Sequence, residues 1–160
     1  LGYHFPAVAG IGFSIELLSR LKESFPTQFA GIKDSSHDAD LARTLGETFG
    51  SDLAVFSGTD TYVQLALQNH AAGCITAPAN ILSPGLREVW DLMNAGRDAS
   101  EAQANVKKRR DILDKYPPFP PTLKALLHRQ HGFPRWKVKP PLVELAPELE
   151  EKVVSEFEGL

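Results

Sequence analysis

The chain carries one cysteine, Cys74, so no internal disulfide can staple it. Such sparing use of cysteine fits a reducing compartment, and a cytoplasmic setting is the expectation. No apolar stretch approaches the roughly 18 residues that a membrane span needs. The first residues, Leu1-Gly2-Tyr3-His4, contain no charged n-region, so no signal sequence is expected there. Positive charge is not in excess: the net charge is −3 across 160 residues, which gives a polyanion such as nucleic acid little to hold. Low-complexity tracts and fixed-period repeats are missing too. What is present is ordinary globular composition, 42% hydrophobic and 23% charged, enough for one core.

Short apolar runs alternate with helical patterns over the first half. The runs are Phe29 to Ile32, Leu53 to Phe56 and Cys74 to Ala77, and the tail of a further strand ends at Tyr3. Leu17, Leu18, Leu21 and Phe25 form an apolar stripe behind Ser14, a suitable N-cap. Leu41, Leu45 and Phe49 form another behind Ser36 or Asp38, and Tyr62, Leu65 and Ala66 a third behind Thr59 or Asp60. Such alternation predicts a parallel sheet built of βα units. From Pro84 the strand signals stop. Helices are expected over Leu86–Ala95, from Asp98 or Ser100 to Lys115, over Thr122–Gln130 and over Pro147–Glu158. The chain therefore divides into an α/β part, residues 1–83, and a helical part, residues 84–160.

Lys33 stands out chemically. It closes the run Phe29-Ala30-Gly31-Ile32 and opens the turn Asp34-Ser35-Ser36, where α/β folds bind ligands. Apolar surroundings disfavour an ammonium ion, and a neutral amine attacks a ketone to form a Schiff base. The plainer alternative is a lysine that snorkels into water at a strand end. Other features read as structural. Gly10-Ile11-Gly12 lacks the third glycine of a dinucleotide loop. His128 and His131 have no companion ligands for a metal, and His37, Asp38 and Asp40 look like a solvated helix start. Lys107 to Arg110 reads as a solvated helix face. Tyr116-Pro117-Pro118-Phe119-Pro120-Pro121 reads as a packed bend between helices.

Three segments carry a resemblance: Tyr3-His4-Phe5-Pro6, Gly31-Ile32-Lys33-Asp34-Ser35-Ser36 and Phe56-Ser57-Gly58-Thr59-Asp60. In this order and spacing they resemble the pyruvate-dependent class I aldolases, the superfamily of dihydrodipicolinate synthase, N-acetylneuraminate lyase and the 2-keto-3-deoxygluconate aldolases. The resemblance implies a (β/α)8 barrel, of which this chain would be the C-terminal half followed by a helical appendage. A full barrel needs eight strands and typically about 250 residues. It implies Lys33 as the Schiff-base residue and Tyr3 as the proton relay. Ser35, Gly58, Thr59 and Asp60 would contact substrate, with the backbone carbonyl of Ile75. The implied partners are pyruvate and a 2-oxo acid, with no cofactor and no metal. A homo-oligomer, a tetramer or dimer of dimers, is implied as well.

Departures from the family pattern narrow the reaction. Dihydrodipicolinate synthases carry an arginine two residues after the Tyr-x-x-Pro proline, and here that position is Val8. Sialic acid lyases carry glutamate and serine where this chain has Thr61 and Ala77. Phe56 to Asp60, with Ala77 and Asn80, sits nearer to 2-keto-3-deoxy sugar acid aldolases. The expected activity is release of pyruvate from a 2-oxo-3-deoxy acid. The alternatives are a synthase-like condensation, a related dehydratase, and a non-catalytic barrel segment. The pyruvate-carboxylate loop of the family falls outside these residues, so half a barrel is expected to be inactive alone.

Overall fold

A computed structural model describes all 160 residues. In chain order the elements are β1 (Gly2–His4), α1 (Pro6–Ala9), α2 (Ile15–Ser24), β2 (Gly31–Asp34), α3 (Ala39–Phe49), β3 (Ala54–Ser57), α4 (Val63–Gln68), β4 (Gly73–Cys74), α5 (Ala79–Asn94), α6 (Ser100–Leu113), α7 (Phe119–His131) and α8 (Pro147–Glu158). The four strands are all parallel and lie side by side in the order β1-β2-β3-β4. Strand order without a reversal is the winding of a barrel wall, since a doubly wound sheet would change direction at a switch point.

Local chemistry sets most helix starts. The Ser14 side chain accepts from the Leu17 amide and caps α2. Asp38 caps α3 by accepting from the amides of Asp40 and Leu41. Pro147 occupies the first turn of α8, where its missing N–H costs nothing. The same logic applies to Pro120 and Pro121, which enter the first turn of α7, so that helix begins at Phe119 rather than Thr122.

Three further expectations shift. Helix α5 starts at Ala79 and contains Pro84, so residue 84 lies within a helix rather than between two parts of the chain. One backbone hydrogen bond is forfeited there, and the surrounding helix continues through it. Helix α4 starts at Val63, later than a cap at Thr59 or Asp60 would place it. Strand β2 runs to Asp34, which puts Lys33 inside the ladder instead of at its end.

Two apolar clusters hold the molecule. Beneath the sheet, Ile32 and Val55 pack with Leu18 of α2, Leu45 and Phe49 of α3, and Leu53. A larger cluster joins Val63, Leu82, Val89, Val106, Leu113, Leu126, Val153 and Phe157, drawn from α4 to α8. The C-terminal helices thus pack largely on one another. No helix is long and apolar enough to cross a membrane.

Candidate active site

Strand alternation assigns the two faces of the sheet. Ile32 and Val55 point to the helices, so Lys33 and Phe56 point the other way, onto the concave side that a closed barrel would enclose. Register aligns Tyr3 with Lys33, Lys33 with Phe56, and Phe56 with Gly73, which makes one row across that side. The Lys33 Nζ stands 4.3 Å from the centroid of the Tyr3 ring. Tyr3 is 52% exposed and Lys33 is half-buried. A cation over an aromatic face is attracted by the ring quadrupole. The arrangement brings an amine and a phenol onto one open surface.

Backbone bonds continue the ladder one step past the strands. The Ser35 amide donates to the His4 carbonyl at 2.8 Å, the Gly58 amide to the Asp34 carbonyl at 2.6 Å, and the Ile75 amide to the Ser57 carbonyl at 2.8 Å. Ser35, Gly58 and Ile75 therefore form a second row beyond Lys33. Ser35 is buried against Gly58: a Cβ at residue 58 would meet the Ser35 Oγ at 2.0 Å. Only glycine permits that approach. Helix α3 is capped by Asp38, so Ser35 is not spent as its cap.

Thr59 and Asp60 are placed differently from expectation. Both are fully buried. The Thr59 Oγ1 pairs with Thr61 Oγ1 at 2.9 Å. Asp60 Oδ1 accepts from Arg110 of α6 at 2.7 Å, and its Oδ2 accepts from Thr76 at 2.8 Å. Their side-chain oxygens are bonded within the protein, to Thr61, Arg110 and Thr76, whereas the expectation has them contact substrate hydroxyls. A buried carboxylate needs a paired cation, and Arg110 supplies it. Asp60 makes no cap bond to α4, whose N-cap is Tyr62.

Sequence reasoning passed over the supports of this site. His4 and Asp34 follow Tyr3 and Lys33 in sequence and share the opposite face, both buried. The Phe13 amide donates to His4 Nδ1 at 2.9 Å, and His4 Nε2 lies 3.9 Å from Asp34 Oδ1. Gly12 makes room for the imidazole, since a Cβ there would meet His4 Cε1 at 2.7 Å. The signal was available in the period of two, which puts a support behind each inward residue. Gln103 gave no such signal, and Arg110, which the basic run Lys107 to Arg110 places on a solvated face, is instead buried against Asp60.

Burial decides the state of the neighbouring titratable groups. The Cys74 thiol is pushed up to about 12 by burial and by Asp60, with Lys33 and Arg110 pulling the other way, so it is a neutral apolar filler at neutral pH. Burial, helped by Asp34 and Asp38, pushes the Tyr62 phenol up to about 12, and its hydroxyl has no hydrogen-bond partner. Burial works against the Arg110 charge, but hydrogen bonds and charge from Asp114 and Asp60 outweigh it, so the guanidinium holds its proton more firmly than usual. A groove of about 480 Å³ lies away from this chemistry, between α5 and α6, lined by Leu82, Gly85, Val106 and Arg109 among others.

A singly wound parallel sheet with an inward lysine near its C-terminal edge is the setting in which comparison with known proteins decides the family. A family model described as the dihydrodipicolinate synthetase family matches residues 1–159. The chain belongs to that family. An uncharacterized DapA-like lyase of Chloroflexus aurantiacus is 34% identical over 146 residues, covering 91% of this chain and 48% of that protein. A 4-hydroxy-tetrahydrodipicolinate synthase of Prochlorococcus marinus is 24% identical over 169 residues, covering 99% of this chain and 52% of that protein. Among solved structures, dihydrodipicolinate synthase from Agrobacterium tumefaciens superposes with a TM-score of 0.84 at 28% identity, over 99% of this chain and 52% of that one. The CdNal protein of Clostridium difficile, solved with mannosamine, has a TM-score of 0.86 at 21% identity, over 98% of this chain and 53% of that one, and shares the fold. The chain spans about half the length of the curated relatives it matches. Its architecture is the C-terminal half of the (β/α)8 barrel of the dihydrodipicolinate synthetase family, followed by helices.

Proposed function

We propose that this chain contributes the imine-forming half of a class I aldolase or lyase that cleaves a 2-oxo-3-deoxy sugar acid to pyruvate and an aldehyde. The observation that carries this reading is the Lys33 amine over the Tyr3 ring on the inward face of a barrel wall. The Lys33 amine attacks the C2 ketone, and water leaves to give an iminium ion. The iminium draws the electrons of the C3–C4 bond. Tyr3 takes the proton from the C4 hydroxyl, the bond breaks, and the aldehyde departs. The remaining enamine takes a proton at C3, and hydrolysis returns pyruvate and the free amine.

Ser35 and Gly58, one row beyond Lys33, line the direction in which the rest of the substrate extends, and Ile75 offers its backbone carbonyl. Val8 lies in α1 and is 74% exposed, with no group that could pair with a second carboxylate. This favours a polyol-bearing 2-oxo acid over a dicarboxylate product. The residues up to β4 would form the barrel wall, and α5 onward, from Ala79, its last helix and extension. The complete enzyme would be a tetramer or dimer of dimers, with no nucleic-acid partner and no cofactor.

The test is chemical trapping. The protein that carries this chain, closed into its barrel, is incubated with pyruvate and borohydride and then digested. A reduced pyruvyl adduct is expected on Lys33. An adduct on a different lysine, or none in a folded protein, would overturn the assignment. Lys33→Arg is expected to abolish both adduct and turnover while the fold persists, because a guanidinium stays charged and cannot form the imine.

A further inference from the structure

Helix α6 reaches the site from outside the sheet. Its Arg110 is buried and donates to Asp60 Oδ1 at 2.7 Å, while the same guanidinium donates to Asp114 at 2.8 Å through Nε. The guanidinium also lies 4.9 Å from the ring centroid of Phe119, the residue that opens α7 within the proline-rich bend. About two turns earlier on α6, Gln103 donates to the Asp60 carbonyl at 2.9 Å, and its own carbonyl accepts from the Gln64 amide at 2.9 Å. Asp60 is thus held at its carboxylate and at its backbone by one helix, and by Thr76 from the segment after β4.

The tether leads back to the inward face. Asp60 ends the segment Gly58-Thr59-Asp60, and Gly58 is hydrogen-bonded to Asp34 and pressed on Ser35. Ser35 is two residues from Lys33. Moving Asp60 by an ångström would therefore move the row just beyond the amine, and a misplacement of that size is costly in a reacting geometry. Arg110 itself is enclosed by Asp60, Asp114 and Phe119.

We infer that Arg110 is a positioning residue: through Asp60 it fixes the Gly58–Asp60 loop, and so governs how the aldehyde-bearing end of the substrate is held without governing imine formation. This rests on the aldolase reading above for its catalytic consequence and on the hydrogen bonds alone for its structural one. A planar fork that serves two carboxylates at once is not reproduced by an ammonium, so Arg110→Lys should loosen the loop even though the charge remains. Gln103→Met removes the second tether on a half-exposed position and gives a milder variant should Arg110→Lys fold poorly.

Two measurements on the barrel-closed protein separate the possibilities. Amide hydrogen exchange should quicken about 10-fold or more at residues 58–61 in both variants, with the Ile32 and Val55 amides unchanged. In parallel, kcat/KM for the 2-oxo-3-deoxy acid should fall about 10-fold or more, while the rate of borohydride trapping with pyruvate stays within about 2-fold of wild type. Faster loop exchange with kcat/KM unchanged would overturn the inference, as would a parallel loss of trapping and cleavage. Unaltered exchange in both variants would overturn it as well. Should wild type itself fail to trap pyruvate, the aldolase reading falls, and the exchange result alone decides whether Arg110 holds the loop.

Discussion

Gly46 of α3 lies so close to Asn69 that a methyl group on it would meet the Asn69 carbonyl oxygen at 1.8 Å. The contact joins α3 to the end of α4, and the atom in the way is backbone, which cannot rotate aside. Gly46→Ala would gain about 1 kcal/mol of helix propensity. Forced separation of the two helices should cost more, so a net loss of at least about 2 kcal/mol is expected in urea unfolding. A stabilised variant would show that the helices can part freely.

Tyr3→Phe keeps the ring that faces Lys33 and removes only the hydroxyl. The expected loss in kcat is on the order of 10²-fold or more, the usual scale for a general acid-base group. The melting temperature should barely move, because Tyr3 is largely exposed and its aromatic body is retained. Near wild-type kcat in a trapping-competent enzyme would remove Tyr3 from the proton relay.

Val8 makes a prediction about substrate choice. Condensation of pyruvate with aspartate semialdehyde should be poor, and cleavage of a 2-keto-3-deoxy acid better, as judged by kcat/KM for each. The reverse ranking would assign the protein to synthase chemistry.

The Asp60–Arg110 pair predicts a thermodynamic cycle. Arg110→Met alone leaves the buried Asp60 carboxylate without its cation, at about 3–5 kcal/mol, and Asp60→Leu alone leaves Arg110 with only the part-exposed Asp114. Asp60→Leu combined with Arg110→Met removes both charges and should cost less than the sum of the two single changes. Additivity in chemical denaturation would mean that the pair is not coupled in solution.

Glu156 on α8 predicts how stability bends in acid. Hydrogen bonds from Lys115 and Tyr116 hold its carboxyl below the usual glutamate value. A depressed folded pKa contributes stability that is complete above the unfolded value and is lost as pH falls through the folded one. Wild type should therefore exceed Glu156→Gln at neutral pH, and the gap should shrink as the pH drops through the acid range. A gap independent of pH would place the effect in packing instead.

Local signals carried far along this chain. The caps at Ser14 and Asp38 and the proline at residue 147 announced α2, α3 and α8, because each needs only its own neighbours. Lys33 stood out as the polar end of an apolar run and Tyr3 through the family resemblance, and strand register sets the two side by side. What stayed hidden depends on partners remote in sequence. Asp60 looks like a helix cap until Arg110, 50 residues away, claims its carboxylate. Pro84 looks like a boundary until α5 is seen to pass through it. His4 was overlooked because a buried imidazole shows its purpose only once Phe13 and Gly12 have folded around it.

The alternation along β2 gives this site a parity. Ile32 and Asp34 belong to the side that meets the helices and Lys33 to the inward side, a single peptide apart. Deleting or inserting one residue between Ala30 and Lys33 would turn the amine into the helix layer and present a carboxylate or an isoleucine to the substrate. A change of two residues would keep every side chain on its own face and only displace it along the strand. Chains descended from this one can therefore drift in length within β2 by even steps while keeping the lysine inward, whereas an odd step turns it outward at once.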